Sequence, residues 1–485
     1  MNININKIRK IVGLPLFFLI LFALLTGCKK LLDQRPENSL TRQDFFKTEA
    51  DANASIAGVY DALQASVTQL LLWGESRSDL VSSISTDDII NYPYQQLFTN
   101  LRPLSNWSTV YQVIARANIV IEAIPGIVSI DANFTNEKSN AILAEARCLR
   151  ALSYFYLLRT FKEVPLVLDA SSSDDVNYRI PKSPADVILK KIEEDLAFAA
   201  QYAPTQFARP IDTRGRITKG AVYALQADVY LWEAKWKESA DAAKKVLDNT
   251  ALYSLVSGSD WFSIFSKKNT TEAIFELQFD YTLNENNGLK GTSTQFNANN
   301  VLVSYFTGEQ DALRGLNRTY RESGGRQYWK YLGLNVDNIE RPTNDPNYIF
   351  YRLPDVMLMR AEALAHLGFA EKTEAISLLN AVRDRVTLAP YLVDGSIETA
   401  TLVDFILKER AMELSMEGKR WFDLVRVATN DNRPELLVNS ILNSRTVGER
   451  AIIRARIIDP RSWYLPILKD ELDRNPSLVQ NPYYR

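Results

Sequence analysis

Ala221-Val222-Tyr223-Ala224-Leu225-Gln226-Ala227-Asp228-Val229-Tyr230-Leu231-Trp232, followed by Ala240, Ala243, Val246 and Leu247, is the stretch that decides the fold. Its apolar residues recur at three- and four-residue spacing, which puts them on one face of a helix. A tight turn and a second helix follow, with small alanines where the two helices must approach closely. Leu358-Met359-Arg360-Ala361-Glu362-Ala363-Leu364-Ala365-His366-Leu367-Gly368, followed by Ala375, Ile376, Leu379 and Val382, repeats the arrangement. One chain therefore carries two helical hairpins of the same design, far apart.

Small residues at the helix contact and aromatics filling the gaps between units are the physics of a tetratricopeptide (TPR) hairpin. The wide separation makes this an interrupted solenoid, an architecture that serves as a scaffold for partners more often than as an active site. Helical periodicity also marks Ala50 to Ala65, Val110 to Ile124, Asn136 to Phe161 and Pro184 to Tyr202. Ser183-Pro184 reads as a capping residue with proline at the first helical position, and Pro125-Gly126 and Val164-Pro165 read as stops. Phe262 to Pro354 is different. Glu272 to Phe279 alternates like a short strand, and Asn284 to Asn300 is an Asn/Gly/Thr-rich loop. Aromatics interleaved with Arg and Gly follow: Tyr305, Phe306, Tyr320, Tyr328, Trp329 and Tyr331. An excursion of this length is functional or disordered, and its aromatic content argues against disorder. The fold class is mainly α: a TPR-containing α-helical superhelix with loop-rich insertions and a few short strands.

The amino terminus reads as an export signal. Lys7, Arg9 and Lys10 precede an apolar run from Ile11 to Leu25, and Leu25-Thr26-Gly27-Cys28 ends it with small residues before a cysteine. This is the pattern of a bacterial lipoprotein: residues 1–27 are the signal peptide, and Cys28 takes a thiol-linked diacylglycerol and an amine-linked acyl chain such as palmitate. Several acyl chains anchor a protein stably where one is marginal. The competing reading, an uncleaved membrane helix, has a run at the short end for a span, interrupted by Gly13 and Pro15. No further long apolar segment is evident, so the remainder reads as water-soluble. Cleavage removes three of the 56 Lys+Arg and none of the 58 Asp+Glu, leaving 53 against 58, a net charge of −5. With no basic stripe to neutralise phosphates, nucleic acid is excluded as a partner. Of the two cysteines one goes to lipid, so no disulfide forms within the chain, and Cys148 reads as a small buried hydrophobe.

Several further stretches resemble one family in its own order. Leu32-Asp33-Gln34-Arg35-Pro36 resembles the "LDxxP" start of the SusD/RagB outer-membrane nutrient-binding lipoproteins. Trp107, Tyr111, Ile114, Arg116, Ala117 and Asn118 are similar to its "W…Y…I.RAN" helix. Arg150-Ala151-Leu152-Ser153-Tyr154-Phe155 through Phe161 and Val164-Pro165-Leu166 resemble "RA..YF.L.R.FG.VPL", with Lys162-Glu163 where the glycine would stand. Gly215-Arg216-Ile217-Thr218-Lys219-Gly220-Ala221 resembles "GR.TKGAA". Glu409-Arg410, Glu413-Leu414, Glu417-Gly418, Arg420-Trp421, Asp423-Leu424 and Arg426 resemble "ER..EL..EG.RW.DL.R". Tyr464-Leu465-Pro466-Ile467, Glu471-Leu472, Asn475-Pro476 and Gln480-Asn481-Pro482 resemble the family's carboxyl end, with Leu468 in place of a proline and Tyr483 in place of a glycine. The likeness spans residues 28–485, with an amino-terminal part over about 28–230 and a carboxyl-terminal part over about 270–485.

The resemblance implies a helical protein, lipid-anchored and surface-exposed at the cell outer membrane. It would cap a SusC-like TonB-dependent transporter, with a large TPR face toward the barrel, opening and closing as a lid. It would bind glycans, oligosaccharides or, in some branches, peptides, and perform no covalent chemistry. A sugar site combines an aromatic platform for the C–H face with planar polar groups for the hydroxyls. The best stretch for this is Trp73 to Asp79 with Asp87, Asp88, Asn91, Tyr92 and Tyr94, a region that resembles the ligand-contacting segment of relatives, and the later aromatics supply further platforms. The candidate ligand-binding residues are Trp73, Arg77, Asp79, Tyr92, Tyr94, Tyr305, Tyr328, Trp329 and Tyr331. Trp73 follows Leu70-Leu71-Leu72, which equally suits a core residue.

Catalytic readings fare poorly. Glu409, Glu413 and Glu417 share a helix face, but Arg410, Arg420 and Arg426 stand near to tie them into helix–helix pairs. A glycosidic bond also needs carboxyls on opposing sides. His366 is the only histidine, which excludes a multi-histidine zinc site and disfavours a Ser/His/Asp relay; it reads as a helix-end residue. No cofactor motif is present. Calcium is the one ion left open, at Asp87-Asp88 or Asp174-Asp175, but neither pair has the alternating loop of a dedicated site and both read as solvated turns. Two alternatives to the binder remain: a surface-anchored glycan hydrolase, which would release sugar, and a purely protein-binding TPR scaffold, which would have no small-ligand affinity.

Overall fold

Helices form where the apolar period predicts them. The computed structural model describes residues 45–85, 88–99, 103–170 and 179–485, with backbone alone at 88–90, 103, 323 and 324. Cys28, the Leu32 to Pro36 motif, Asp87, Asp174 and Asp175 lie outside the described residues, as does the side chain of Asp88. α1 (Glu49–Gln64) opens with a capping box: the Thr48 hydroxyl accepts from the Asp51 N–H, and the Asp51 carboxylate accepts from the Thr48 N–H. α2 (Val67–Glu75), β1 (Val81–Ser83) and α3 (Asp88–Tyr94) follow, then α4 (Ser108–Ile127) and α5 (Asn136–Phe161). α4 is apolar and long enough to cross a membrane by composition, yet it lies against α1 and α5, with Ala117, Val120 and Ile124 buried in protein. Pro125 falls in its last turn, where its missing N–H costs one backbone bond, yet the helix runs two residues past the expected stop.

α5 ends at Lys162, which takes φ +69° where a glycine would fit without steric cost. β2 (Val164–Pro165) then pairs antiparallel with β3 (Lys182–Ser183). That pairing engages Ser183, so Pro184 itself occupies the cap position of α6 (Ala185–Tyr202) and no side chain caps it, contrary to the sequence reading. α7 (Pro210–Gly215) leads into the two hairpins. Buried Cys148 sits on α5, and its burial pushes the thiol well above its usual range.

α8 (Lys219–Trp232) and α9 (Trp236–Leu247) form the first hairpin, in which the Ser239 hydroxyl donates to the Ala227 carbonyl at 2.8 Å. The chain leaves this body through β4 (Ala273–Leu277), passes through β5 (Phe296–Ala298) and α10 (Asn300–Glu309), and returns by β6 (Tyr348–Arg352). β4 and β6 pair antiparallel, Ala273 with Arg352 and Leu277 with Tyr348, and both are wholly buried. The excursion is thus pinched at its base. α11 (Leu353–Ala365) and α12 (Phe369–Arg385) make the second hairpin, followed by α13 (Thr399–Leu414), α14 (Arg420–Asn430) and α15 (Val447–Ile457).

The hairpins that are distant in sequence stack directly, α9 against α11. At the seam His366, capping the end of α11, lies flat on Trp236 with centroids 3.8 Å apart and planes 8° apart. Its Nε2 meets Asp431 Oδ1 at 2.8 Å and its Nδ1 the Glu362 carbonyl at 2.9 Å. Burial alone would depress this imidazole, but these two acceptors outweigh it and hold its pKa above the ordinary value.

Glu409, Glu413 and Glu417 are buried in an ionic lattice rather than facing solvent. Arg314 reaches Glu409 at 2.6 Å and Glu413 at 2.8 Å, Arg385 reaches Glu413 at 2.6 Å, and Arg352 reaches Glu417 at 2.8 Å and also pairs with Glu413. Lys330 adds a bond to Glu417 at 2.8 Å. Arg314, Lys330 and Arg352 come from the excursion and the glutamates from α13 and the turn after it. The lattice locks the insertion to the helical body, and no substrate can reach these carboxylates.

Candidate functional site

The two stretches that hold the candidate residues meet at a small sheet. β1 pairs antiparallel with β5, Val81 opposite Ala298 and Ser83 opposite Phe296. The Asn299 N–H donates to the Leu80 carbonyl at 2.8 Å, and its side-chain amide reaches Ser82 Oγ at 2.8 Å and the Ser444 carbonyl at 2.9 Å. Tyr328 Oη also donates to the Leu80 carbonyl, at 2.8 Å. The early segment and the aromatic excursion therefore form one surface, from residues more than two hundred positions apart.

Most of the nine candidates lie beneath that surface. Trp73, Arg77, Asp79, Tyr328, Trp329 and Tyr331 are buried. A buried ring has no face to offer a sugar, so the expectation of stacking at Trp73, Tyr328, Trp329 and Tyr331 is corrected: they are core. Trp73 Nε1 donates to the Leu104 carbonyl at 2.9 Å, and its ring meets Phe161 edge-on at 5.6 Å. Trp329 Nε1 donates to the Asn335 carbonyl at 2.7 Å, with the Arg321 guanidinium 4.4 Å above the ring. Tyr331 packs edge-on to Phe265.

Arg77 and Asp79 are internal struts. Arg77 lies 3.8 Å over the Trp421 ring and donates to the carbonyls of Trp463 at 2.6 Å and Ser462 at 3.0 Å. Burial pulls its guanidinium down to about 9. Asp79 takes a bidentate bond from Arg420, 2.8 Å in each limb. Sequence reasoning placed Arg420 in a motif but gave no sign that it supports the loop. Arg445 was missed altogether: its guanidinium covers one face of Tyr94 at 3.8 Å and donates to the Ser78 and Tyr94 carbonyls.

Three candidates remain at the surface, all half-buried: Tyr92, Tyr94 and Tyr305. Tyr305 on α10 stands beside the Arg420–Asp79 pair, with Lys408 Nζ 5.6 Å from its ring centre. Burial raises the Tyr94 and Tyr305 hydroxyls above their ordinary pKa, so both stay neutral donors. Asn91 and Gln95 flank the first two tyrosines. Asn297 lies in β5 and Asn300 opens α10, where Arg326 donates to the Asn300 side chain. Half-buried tyrosines with neutral hydroxyls over a floor of internally paired groups suit a neutral polyhydroxyl ligand.

Glu75, at the end of α2, holds that floor to the body. Its Oε1 accepts from the Gly418 N–H at 3.0 Å and the Lys419 N–H at 3.2 Å. Burial pushes its carboxyl up to about 8 from 4.5. The folded state therefore holds an extra proton between those values. The resulting stabilisation is complete below pH 4.5 and is lost as pH rises through about 8. Glu75→Gln is expected to flatten this dependence. In thermal melts the two proteins should lie close at about pH 5 and the variant should be the more stable at about pH 8.5; parallel pH profiles would refute the assignment.

Residues 30–231 match the family model described as starch-binding associating with outer membrane, and residues 266–484 match that of the SusD family. A SusD-like protein of Formosa agariphila is 28% identical, the match covering 98% of this chain and 100% of the relative. One of Bacteroides ovatus is 24% identical over 81% of this chain and 78% of its own length. Among solved structures, a SusD superfamily protein from Bacteroides vulgatus has a TM-score of 0.75 and 23% identity, covering 90% of this chain and 100% of that one. A laminarin-binding SusD-like protein has a TM-score of 0.70 and 24% identity over 90% of this chain and 100% of its own. Both halves match in order and the fold is shared over nearly the whole length: the chain belongs to the SusD/RagB family.

Proposed function

We propose that this protein captures glycans at the surface of the outer membrane, held there by lipid on Cys28, and passes them to a SusC-like TonB-dependent transporter without covalent chemistry. The observation that carries the reading is the pairing of β1 with β5, which joins the segment that bears Tyr94 to the one that bears Tyr305, over a floor in which Arg445 covers Tyr94 and the Arg420–Asp79 pair lies beside Tyr305. Tyrosine rings with neutral hydroxyls over a floor of internally paired charges match an oligosaccharide better than an ion or a nucleic acid. The laminarin binding of a protein with this fold and the outer-membrane description of the matched family model support it further. The stacked hairpins are the face offered to the transporter.

Calorimetry of the soluble chain, beginning after Cys28, against laminari-oligosaccharides, malto-oligosaccharides and oligopeptides tests the capture step. Saturable binding of a glycan is expected, weakened at least about tenfold by Tyr94→Ala combined with Tyr305→Ala, since a lost stack and its hydroxyl together amount to more than about 1.4 kcal/mol. Binding of peptides alone, or release of sugar during the titration, would overturn the reading.

A further inference from the structure

A cleft of about 660 Å³ opens between α1, α7 and the end of β4 and shares no residue with the tyrosine surface. Its volume falls in the range of small-ligand sites. The wall is charged, but the charges cancel in place. The buried Glu145 carboxylate takes both limbs of Arg216, at 3.0 and 2.5 Å, and accepts from Tyr60 Oη at 2.6 Å. Asp212 takes both limbs of Arg209 at 2.7 Å, and Asp61 meets Arg116 at 2.6 Å. An anion entering the cleft would find these guanidinium groups already engaged, and a cation would have to compete with them for the carboxylates.

What the cleft offers instead is fixed hydrogen-bonding capacity. Gln64 donates through Nε2 to the Gln278 carbonyl at 2.7 Å, which sets the amide plane and leaves Oε1 as an acceptor. Tyr60 spends its hydroxyl inside the wall, where it also accepts from the Ile217 N–H at 2.8 Å, so its half-buried ring is held still. Glu285 adds a carboxylate acceptor at the loop edge. An aromatic belongs to the same loop. Tyr281 lies in sequence between the lining residues Gln278 and Glu285, and the residue is 54% exposed on a 3-10 turn that Asp280 caps. An exposed ring on the loop that supplies a lining carboxylate, with a fixed amide acceptor in the wall, can hold a sugar by stacking and by its hydroxyls together.

The geometry points to this cleft as a second saccharide subsite, with Tyr281 as its stacking face and Gln64 as its hydroxyl acceptor; this rests on the glycan reading of the protein. A long glycan engaging both surfaces would gain affinity by effective concentration. Saturation-transfer NMR on the whole soluble chain, with laminaritriose and maltotriose as probes, tests it. With the first surface removed by Tyr94→Ala and Tyr305→Ala, transfer to at least one trisaccharide is expected to persist. It should then fall at least about threefold when Gln64→Ala and Tyr281→Ala are added. Tyr281→Ala alone, at an exposed position where folding is unaffected, should account for part of that fall. If the first pair of substitutions alone abolishes transfer, the cleft is not a subsite and the proposed function stands. If neither trisaccharide shows transfer with the unsubstituted protein, the glycan reading fails and this inference with it.

Discussion

Replacing Glu413 by glutamine is expected to destabilise the protein by about 3–5 kcal/mol. The carboxylate is fully buried and faces three guanidinium groups, those of Arg314, Arg352 and Arg385, while Trp261 Nε1 donates to it at 3.1 Å. Burial alone would raise its pKa, but the three arginines outweigh burial and hold it well below the usual carboxylate range. Glutamine keeps the shape and one acceptor yet leaves the surrounding positive charge uncompensated in a dry interior. The measurement is the urea midpoint and slope of the variant beside those of Glu435→Gln, which removes an exposed pair with Arg454 and should cost under about 0.5 kcal/mol. A loss at Glu413 below about 1 kcal/mol would mean that the lattice is not holding the insertion in place.

Gly74→Ala is expected to be nearly as damaging, for a steric reason. A Cβ there would lie 2.0 Å from the Gly418 carbonyl oxygen and 2.3 Å from its carbon. Both are backbone atoms with no rotamer by which to withdraw, and Gly418 itself sits at φ +76°. α2 would have to move off the turn before α14, breaking the two bonds that Glu75 accepts from that turn. The expected cost is about 3 kcal/mol or more. Gly126→Ala is the control, since nothing lies within 4 Å of a Cβ at that position and alanine favours a helix. Thermal melts should separate the two substitutions clearly; equal midpoints would refute the close-approach argument.

The helices were legible because period and length are strong signals. Asn136 to Phe161 matches its predicted bounds, and the two hairpins lie where the alanine spacing puts them. Their direct stacking was not legible. It depends on β4 and β6 closing the chain excursion, and no local pattern announces a pairing between Leu277 and Tyr348. Among the site residues, sequence identified which segments meet but not which side chains face out. Trp73 and Trp329 look like platforms by residue type, yet an indole's burial is decided by partners such as the Leu104 carbonyl and Arg321, each set by tertiary contact. The cleft bounded by Gln64, Arg216 and Gln278 escaped notice because its walls come from three distant segments, none carrying a motif for a ligand.

The pinched base of the excursion has an evolutionary consequence. With Leu277 and Tyr348 held side by side in a buried ladder, the chain between them leaves and re-enters the helical body at one point. The entropy of closing such a loop grows only slowly with its length, so residues can be added or removed in its exposed turns, away from Arg314, Lys330 and the buried aromatics, at little cost to the hairpins. The turns of the insertion are thus free to vary in length and sequence while the lattice and the ladder that carry it stay the same.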